Sequence, residues 1–157
     1  MTLIIGSLII ALSAFAIATE LASEVEASVR SASALRSVVE HTKNMIDCYS
    51  LPSDEILKRL ERSVLLGCGY EKCEAPKSFM ALLEGASIKD SESREIFFAF
   101  AKDFGKSFRA DELSRCSLYL ERMRAREQKV IKEAQKKKRV IYTVAVCSAL
   151  AVIILLI

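Results

Sequence analysis

The chain has 157 residues, with 23 Lys and Arg, 20 Asp and Glu, and a formal net charge of +3 at neutral pH. Every charged side chain lies within residues 20–139, whereas residues 1–19 and 140–157 carry none. This division excludes a uniformly soluble domain, and a charged segment of about 120 residues is too short for a large enzyme.

The first flank, residues 1–19, reads MTLIIGSLIIALSAFAIAT and has few polar side chains. A helix rises about 1.5 Å per residue, so about 18 residues span about 27 Å, close to the thickness of a hydrocarbon core. We therefore predict a transmembrane helix over 1–19. The alternative is a cleaved secretory signal, since Ala14, Ala16 and Ala18 suit a cleavage site, but no Lys or Arg precedes the apolar run.

The second flank, residues 140–157, reads VIYTVAVCSALAVIILLI, with apolar side chains on all sides of the helix. Such a segment suits lipid, so we predict a second transmembrane helix there, with Tyr142 at the membrane interface. The basic run 136–139 lies directly before it, and such runs stay in the cytoplasm. The segment 20–139 is then a cytoplasmic domain, and both termini lie on the other face of the membrane.

Apolar positions at spacings of three and four predict that 20–139 is helical throughout, which makes the fold class all-α. No Gly or Pro lies between Gly6 and Pro52, so the first span and the apolar stripe in 25–49 are expected to form one helix. Further helices are predicted from Pro52 to Gly67, over 77–84, from Ser91 to Gly105, and from Asp111 onward. The phenylalanines between Ser91 and Gly105 are interpreted as core residues.

The last helix is predicted to run unbroken from Asp111 into the second span, because no Gly or Pro interrupts it. Its apolar seam follows a heptad spacing that Glu127 interrupts, so packing on the long first helix is favoured over a coiled-coil dimer. The two long helices are therefore predicted to form an antiparallel hairpin with the two spans side by side.

Charge along this last helix suggests a docking surface. Residues 115–139 contain ten basic and three acidic side chains, a local balance of +7. We predict that exposed cations on this helix bind a partner protein. The candidate partner-binding residues are Arg115, Arg122, Arg124, Arg126 and Lys129. Nucleic-acid binding is the rival interpretation, and the apolar seam and the adjoining membrane span argue against it.

No sequence signature of catalysis, cofactor binding or metal binding is found. His41 stands without a nucleophile beside it, and Cys68 and Cys73 have no second pair to complete a zinc site. The Gly-x-Gly at 67–69 lacks the Lys and Ser or Thr of a phosphate loop. We therefore expect no catalytic residue, no cofactor, no metal and no small-molecule substrate.

The whole chain resembles the stage III sporulation protein AB family of endospore-forming bacteria. The resemblance rests on the first span with Gly6 and Ser13 and on the long helix over 30–57. In that stretch the similarly placed residues are Arg30, Leu35, Tyr49 and Pro52. The resemblance continues in FGKSF at 104–108 and in the charged helix that ends KKKRVIYTVAVCSALAVIILLI. The family is similar to the inner-membrane platform proteins of type II secretion and type IV pilus systems.

The resemblance implies a membrane component of the channel between mother cell and forespore. Its cytoplasmic domain would dock the sporulation ATPase, stage III sporulation protein AA, and other channel proteins, while the spans hold it in the mother-cell membrane around the forespore. The alternatives are a generic two-span membrane scaffold and a membrane enzyme unrelated to sporulation. Alanine substitutions of His41 and Cys48 distinguish the enzyme, because a docking protein should tolerate them.

Overall fold

The computed structural model describes residues 2–49 and 52–156, with every side chain in these ranges except those at 2–5, 7–11, 53, 153, 155 and 156. The predicted spans 1–19 and 140–157 therefore lie partly outside the described residues. Within the part that is described, no helix combines the length and the apolar character needed to cross a bilayer.

The chain is all-α, as the sequence predicts, and no strand occurs within 2–49 or 52–156. The helices are α1 (Thr2–Tyr49), α2 (Ser53–Lys58), α3 (Arg62–Gly67), α4 (Phe79–Gly85), α5 (Ser91–Asp103) and α6 (Arg109–Leu156). An isolated antiparallel bridge joins Tyr70 to Ala86. The long first and last helices and the helix beginning at Ser91 agree with the apolar periodicity.

The helix predicted from Pro52 to Gly67 is wrong as a single element, because it is broken between α2 and α3. Glu61 has extended backbone angles (φ −61°, ψ 138°) and precedes α3. Leu60 and Leu65 are both buried, yet in one straight helix their side chains would point well apart. The break lets both enter the core, so burial outweighs the continuity of a helix that has no Gly or Pro at this point.

The chain divides into two compact units, of which one is Ser28–Val130. Within it, α1 and α6 run antiparallel, since Glu40 pairs with Arg124 while Arg36, earlier in α1, pairs with the later Glu127. Aromatic rings fill the space between α4, α5 and α6. The ring of Phe79 meets that of Phe100 edge-on at 5.2 Å, and Phe100 meets Tyr119 at 5.7 Å.

The predicted core role of the phenylalanines is correct for three of the four, because Phe104 also packs against the core, with its ring centroid 4.8 Å from that of Phe79. Phe97 and Phe100 are fully buried, whereas Phe104 is half-buried and Phe98 is 45% exposed. Each buried ring contributes about 1.5–3 kcal/mol through the apolar surface that it removes from water. The aromatic cluster of Phe79, Phe97, Phe100, Phe104 and Tyr119 therefore fixes α5 against α4 and α6. This packing also positions the charged residues at the start of α5.

The other unit comprises Met1–Ala27 and Ile131–Ile157. Small side chains are buried in it, namely Ala18, Ala22 and Ala134. Lys138 forms an ion pair with Glu26. Many large apolar side chains of this unit are exposed, and they are Leu12, Phe15, Ile17, Leu21, Ile131, Val140, Tyr142, Val144, Val146, Leu150 and Ile154.

Candidate functional site

The predicted partner-binding residues do not share one face of α6. Seven residues make about two turns of a helix, so Arg115, Arg122 and Lys129 lie in one row, with Arg126 beside them. Arg124 lies on the opposite side and pairs with Glu40 of α1 at 2.9 Å. The structure thus brings four of the predicted residues together on the side of α6 that meets α5.

Arg126 lies in the most enclosed ion pair of this face. Its Nη2 and Nε donate to the two carboxylate oxygens of Asp90 at 2.6 and 2.9 Å, and its Nη1 lies 2.6 Å from a carboxylate oxygen of Glu92. The side chains of Asp90 and Arg126 are each only 10% exposed. The expectation that the Arg126 side chain is exposed is therefore wrong, because its guanidinium pairs with Asp90 and Glu92 within the domain.

Asp90 has a second role as the N-terminal cap of α5. Its Oδ2 accepts a hydrogen bond from the backbone N–H of Ser93 at 2.9 Å. Burial disfavours the charged carboxylate, but the hydrogen bonds from Arg126 and Ser93 outweigh it and lower the pKa of Asp90 to about 2. This residue thus ties the start of α5 to α6 through an ionised side chain.

Arg115 supports the loop that precedes α6. It donates to the carbonyl oxygen of Asp103 at 2.9 Å and to Oγ of Ser107 at 2.7 Å. Its side chain is only partly exposed, since it lies against this loop. Arg115 therefore acts mainly on the conformation of residues 103–107.

Arg124 belongs to a network of alternating basic and acidic side chains between α1 and α6. Glu40 pairs with both Arg124 and Arg36, and Nε of Arg36 lies 2.8 Å from Oε2 of Glu127. This network explains why an acidic residue interrupts the apolar seam of α6, because Glu127 pairs with the basic Arg36 on α1. Arg124 lies at the edge of this network and is half-exposed.

Two of the predicted cations on the side of α6 that meets α5 remain exposed enough to bind a partner. Lys129 is 60% exposed and lies 3.8 Å from Glu92, a separation at which solvent screens most of the attraction. Arg122 is exposed, with its guanidinium 5.7 Å from the centroid of the Tyr119 ring. A docking surface built on α6 would therefore rest on Arg122 and Lys129.

An exposed aromatic residue next to this helix was missed by the sequence analysis. Phe108 is 87% exposed, the highest value among the large apolar side chains that the structure describes. Its loop is nevertheless well held, because a carboxylate oxygen of the buried Glu112 accepts from the backbone N–H groups of Lys106 and Ser107, both at 3.1 Å. Gly105 turns the chain with φ +80°. Neither apolar periodicity nor charge pattern distinguishes this ring from a core residue.

The buried thiols of the domain are poor nucleophiles. Burial raises the pKa of Cys68 to about 12, and burial together with the charge of Glu112 raises the pKa of Cys116 to about 11. Cys73 is exposed, in contrast to the buried Cys68. No group of three metal-ligating side chains is found among the described residues.

Burial also raises the pKa of Tyr119, as does the hydrogen bond that its hydroxyl donates to Asp103 at 2.7 Å. The neutral phenol is thus the stable form at the side of the aromatic cluster. Its ring serves as a surface for Arg122, and its hydroxyl holds the end of α5. These contacts hold the end of α5 against α6, so the role of Tyr119 on this side of α6 is structural.

Comparison with known proteins gives one finding. A family model described as stage III sporulation protein AB matches residues 75–157, just over half of the chain. The matched region includes α4, α5, the Phe108 loop and α6. No curated protein and no solved structure matches the chain significantly.

Proposed function

The chain belongs to the stage III sporulation protein AB family, which implies a role in sporulation, and from this premise we propose that it is a non-catalytic, membrane-anchored component of the channel between mother cell and forespore. In this role its helical domain docks a cytoplasmic sporulation ATPase. The apolar termini hold the chain in the mother-cell membrane that surrounds the forespore, with the domain 20–139 facing the mother-cell cytoplasm.

Membrane anchoring is supported by the apolar side chains that the terminal unit exposes. Ile17, Val144 and Ile154 are examples, and the sequence has no charge within 1–19 or 140–157. Exposed apolar surface of this extent is unfavourable in water and indicates contact with lipid or another protein. The basic run 136–139 favours the cytoplasmic side for the adjoining domain. We infer that the two spans pair as an antiparallel hairpin.

The observation that carries the docking proposal is the exposed ring of Phe108. Glu112 and Arg115 hold its loop, so little conformational freedom would be lost when a partner covers the ring. Aromatic side chains with such support are typical binding hot spots, and surrounding charges then set specificity and the rate of association. The exposed cations Arg122 and Lys129 on α6 favour a partner with an acidic surface.

The test is copurification of the full chain, in detergent micelles, with the ATPase of the same organism. We expect Phe108→Ser to lower the affinity at least tenfold, since hot-spot truncations typically cost about 2 kcal/mol or more. Phe98→Ser is the matched control, because Phe98 is a 45% exposed aromatic residue on α5 outside this loop. Near-ultraviolet circular dichroism should be the same for the wild type and the Phe108 variant.

Salt gives a second measurement. If Arg122 and Lys129 attract an acidic partner, raising the salt concentration should weaken binding, and the double variant R122Q/K129Q should bind weakly with little dependence on salt. No binding by the wild-type chain, or equal binding by the wild type and the Phe108 variant, would contradict the docking surface.

A further inference from the structure

A basic groove lies on α6 just before the apolar end of the chain. Its described lining consists of Lys132, Gln135, Lys136 and Arg139, and its volume is about 490 Å³. Gln135, Lys136 and Arg139 follow Lys132 by three, four and seven residues, so the four side chains lie on one face of the helix. The groove therefore presents three cations and one amide from a rigid element.

These three cations are not neutralised within the protein as described. Lys138, on another side of the same stretch of α6, does have a partner, since it pairs with Glu26. Among the described residues, by contrast, no carboxylate lies within ion-pairing distance of the three cations of the groove, and the described lining contains none. Three like charges on one face repel one another, so an anion in the groove would be stabilised.

The surface that follows the groove is apolar. Val140 and Val144 are exposed beyond Arg139, and Tyr142 is partly exposed in the same stretch. A ligand that combines a phosphate with hydrocarbon chains would meet cations at one end of this surface and apolar side chains at the other. Free phosphate would use only the groove and leave the apolar side chains in water.

We propose that the groove binds the headgroup phosphate of an anionic phospholipid of the phosphatidylglycerol type. The inference rests on the proposed membrane anchoring and adds to it a preference for one class of lipid. Lys132, Lys136 and Arg139 supply the positive charge, and the amide of Gln135 offers a donor and an acceptor to the hydroxyl groups of the glycerol headgroup. A zwitterionic headgroup suits the groove less well, because its own ammonium group is repelled by these cations.

The experiment uses the full chain in a neutral detergent, titrated with short-chain phosphatidylglycerol, short-chain phosphatidylcholine or inorganic phosphate. Native mass spectrometry measures the fraction of chains that retain a ligand at each concentration. We expect phosphatidylglycerol to bind at least tenfold more tightly than phosphatidylcholine, and inorganic phosphate to bind more weakly than phosphatidylglycerol. The triple variant K132Q/K136Q/R139Q should lose the preference, since each cation near an anionic headgroup is worth about fivefold in affinity.

A matched variant controls for net charge. The triple variant K77Q/K89Q/K102Q also removes three exposed cations, all within the unit Ser28–Val130, and should keep the preference for phosphatidylglycerol. Equal affinity for the two lipids, or an equal loss in the two triple variants, would overturn the proposal. Binding of inorganic phosphate as tightly as phosphatidylglycerol would also overturn it, by assigning the groove to a free anion.

Failure of the lipid site is distinguishable from failure of the anchor. Alkaline carbonate washing of membranes that contain the wild-type chain tests anchoring alone, and we expect the chain to remain in the membrane. Retention without a preference for phosphatidylglycerol would reject the lipid site and leave the anchor standing. Release by carbonate would reject the anchor whatever the titration gives.

Discussion

The substitution Asp90→Asn tests the connection between α5 and α6. Asn is of similar size and can still cap α5 through its side-chain oxygen. The change removes the charge that faces Arg126 and, because the amide NH2 group cannot accept, the hydrogen bond that Nη2 of Arg126 donates to Oδ1. The pKa of Asp90 is lowered from 3.8 to about 2, and one pKa unit corresponds to about 1.4 kcal/mol. The ionised carboxylate therefore stabilises the folded domain by about 2 kcal/mol at neutral pH, which Asp90→Asn should remove.

The pH dependence follows from the direction of this shift. A carboxylate with a lowered pKa stabilises the folded state fully above its unfolded pKa of 3.8, and this contribution is lost as the pH falls through about 2. The difference in unfolding free energy between wild type and Asp90→Asn should thus be constant from pH 7 to about pH 5. It should shrink progressively between about pH 4 and pH 2.

The assay is urea unfolding of the full chain in detergent, followed by near-ultraviolet circular dichroism of the aromatic cluster. With a urea dependence of about 1–3 kcal/mol per M, a loss of about 2 kcal/mol shifts the midpoint by about 1–2 M. Glu92→Gln is the control, because Glu92 is half-exposed in the same group of charges and should cost no more than about 1 kcal/mol. An unchanged midpoint for Asp90→Asn at neutral pH, or a difference that is as large at pH 2 as at pH 7, would contradict this assignment.

Three further predictions concern the core, the turns and catalysis. Phe97→Ala should cost about 3–5 kcal/mol in urea unfolding, because the ring is fully buried. Gly69→Ala should destabilise more than Gly105→Ala in the same assay: both have φ near +80°, but the added Cβ would lie 2.9 Å from the Ser87 backbone only at Gly69. His41→Ala and Cys48→Ala should leave spore counts unchanged, whereas loss of spores with normal folding would favour an enzyme.

The helices α1, α5 and α6 could be predicted from the sequence because their apolar periodicity is a local property of the chain. The long α6 contains no Gly or Pro, and α5 ends before Gly105, which adopts the φ of +80° expected after a helix. The break after Lys58 was not predictable from periodicity. It arises because Leu60 and Leu65 both find space in the core, which is decided by the arrangement of other helices.

The candidate docking residues illustrate a similar limit. Helical spacing places Arg115, Arg122 and Lys129 in one row of α6 with Arg126 beside it. It does not reveal which other element covers that side of the helix. Asp90 and Glu92 begin a helix more than 30 residues earlier, and the sequence alone does not indicate that they meet Arg126. A charge that looks solvated in the sequence is therefore internal in the fold.

The exposed ring of Phe108 is the opposite case. An aromatic residue next to a helix start is ordinarily assigned to the core, since burial of its area is favourable. Here Gly105 and the bonds to Glu112 direct the loop so that the ring points into solvent. Loop geometry of this kind depends on φ values and on side-chain hydrogen bonds, which composition and periodicity do not encode.

The proposed position of the domain on the cytoplasmic side of a membrane can be tested directly through Cys73. This thiol is exposed, and in a full-chain variant with Cys48 and Cys147 changed to Ser it is the one exposed thiol among the described residues. A maleimide that cannot cross membranes is added to bacteria that express this variant, before and after the cells are made permeable. We expect labelling of Cys73 only after permeabilisation. Labelling in intact cells would contradict a membrane-anchored domain that faces the cytoplasm and docks an ATPase there.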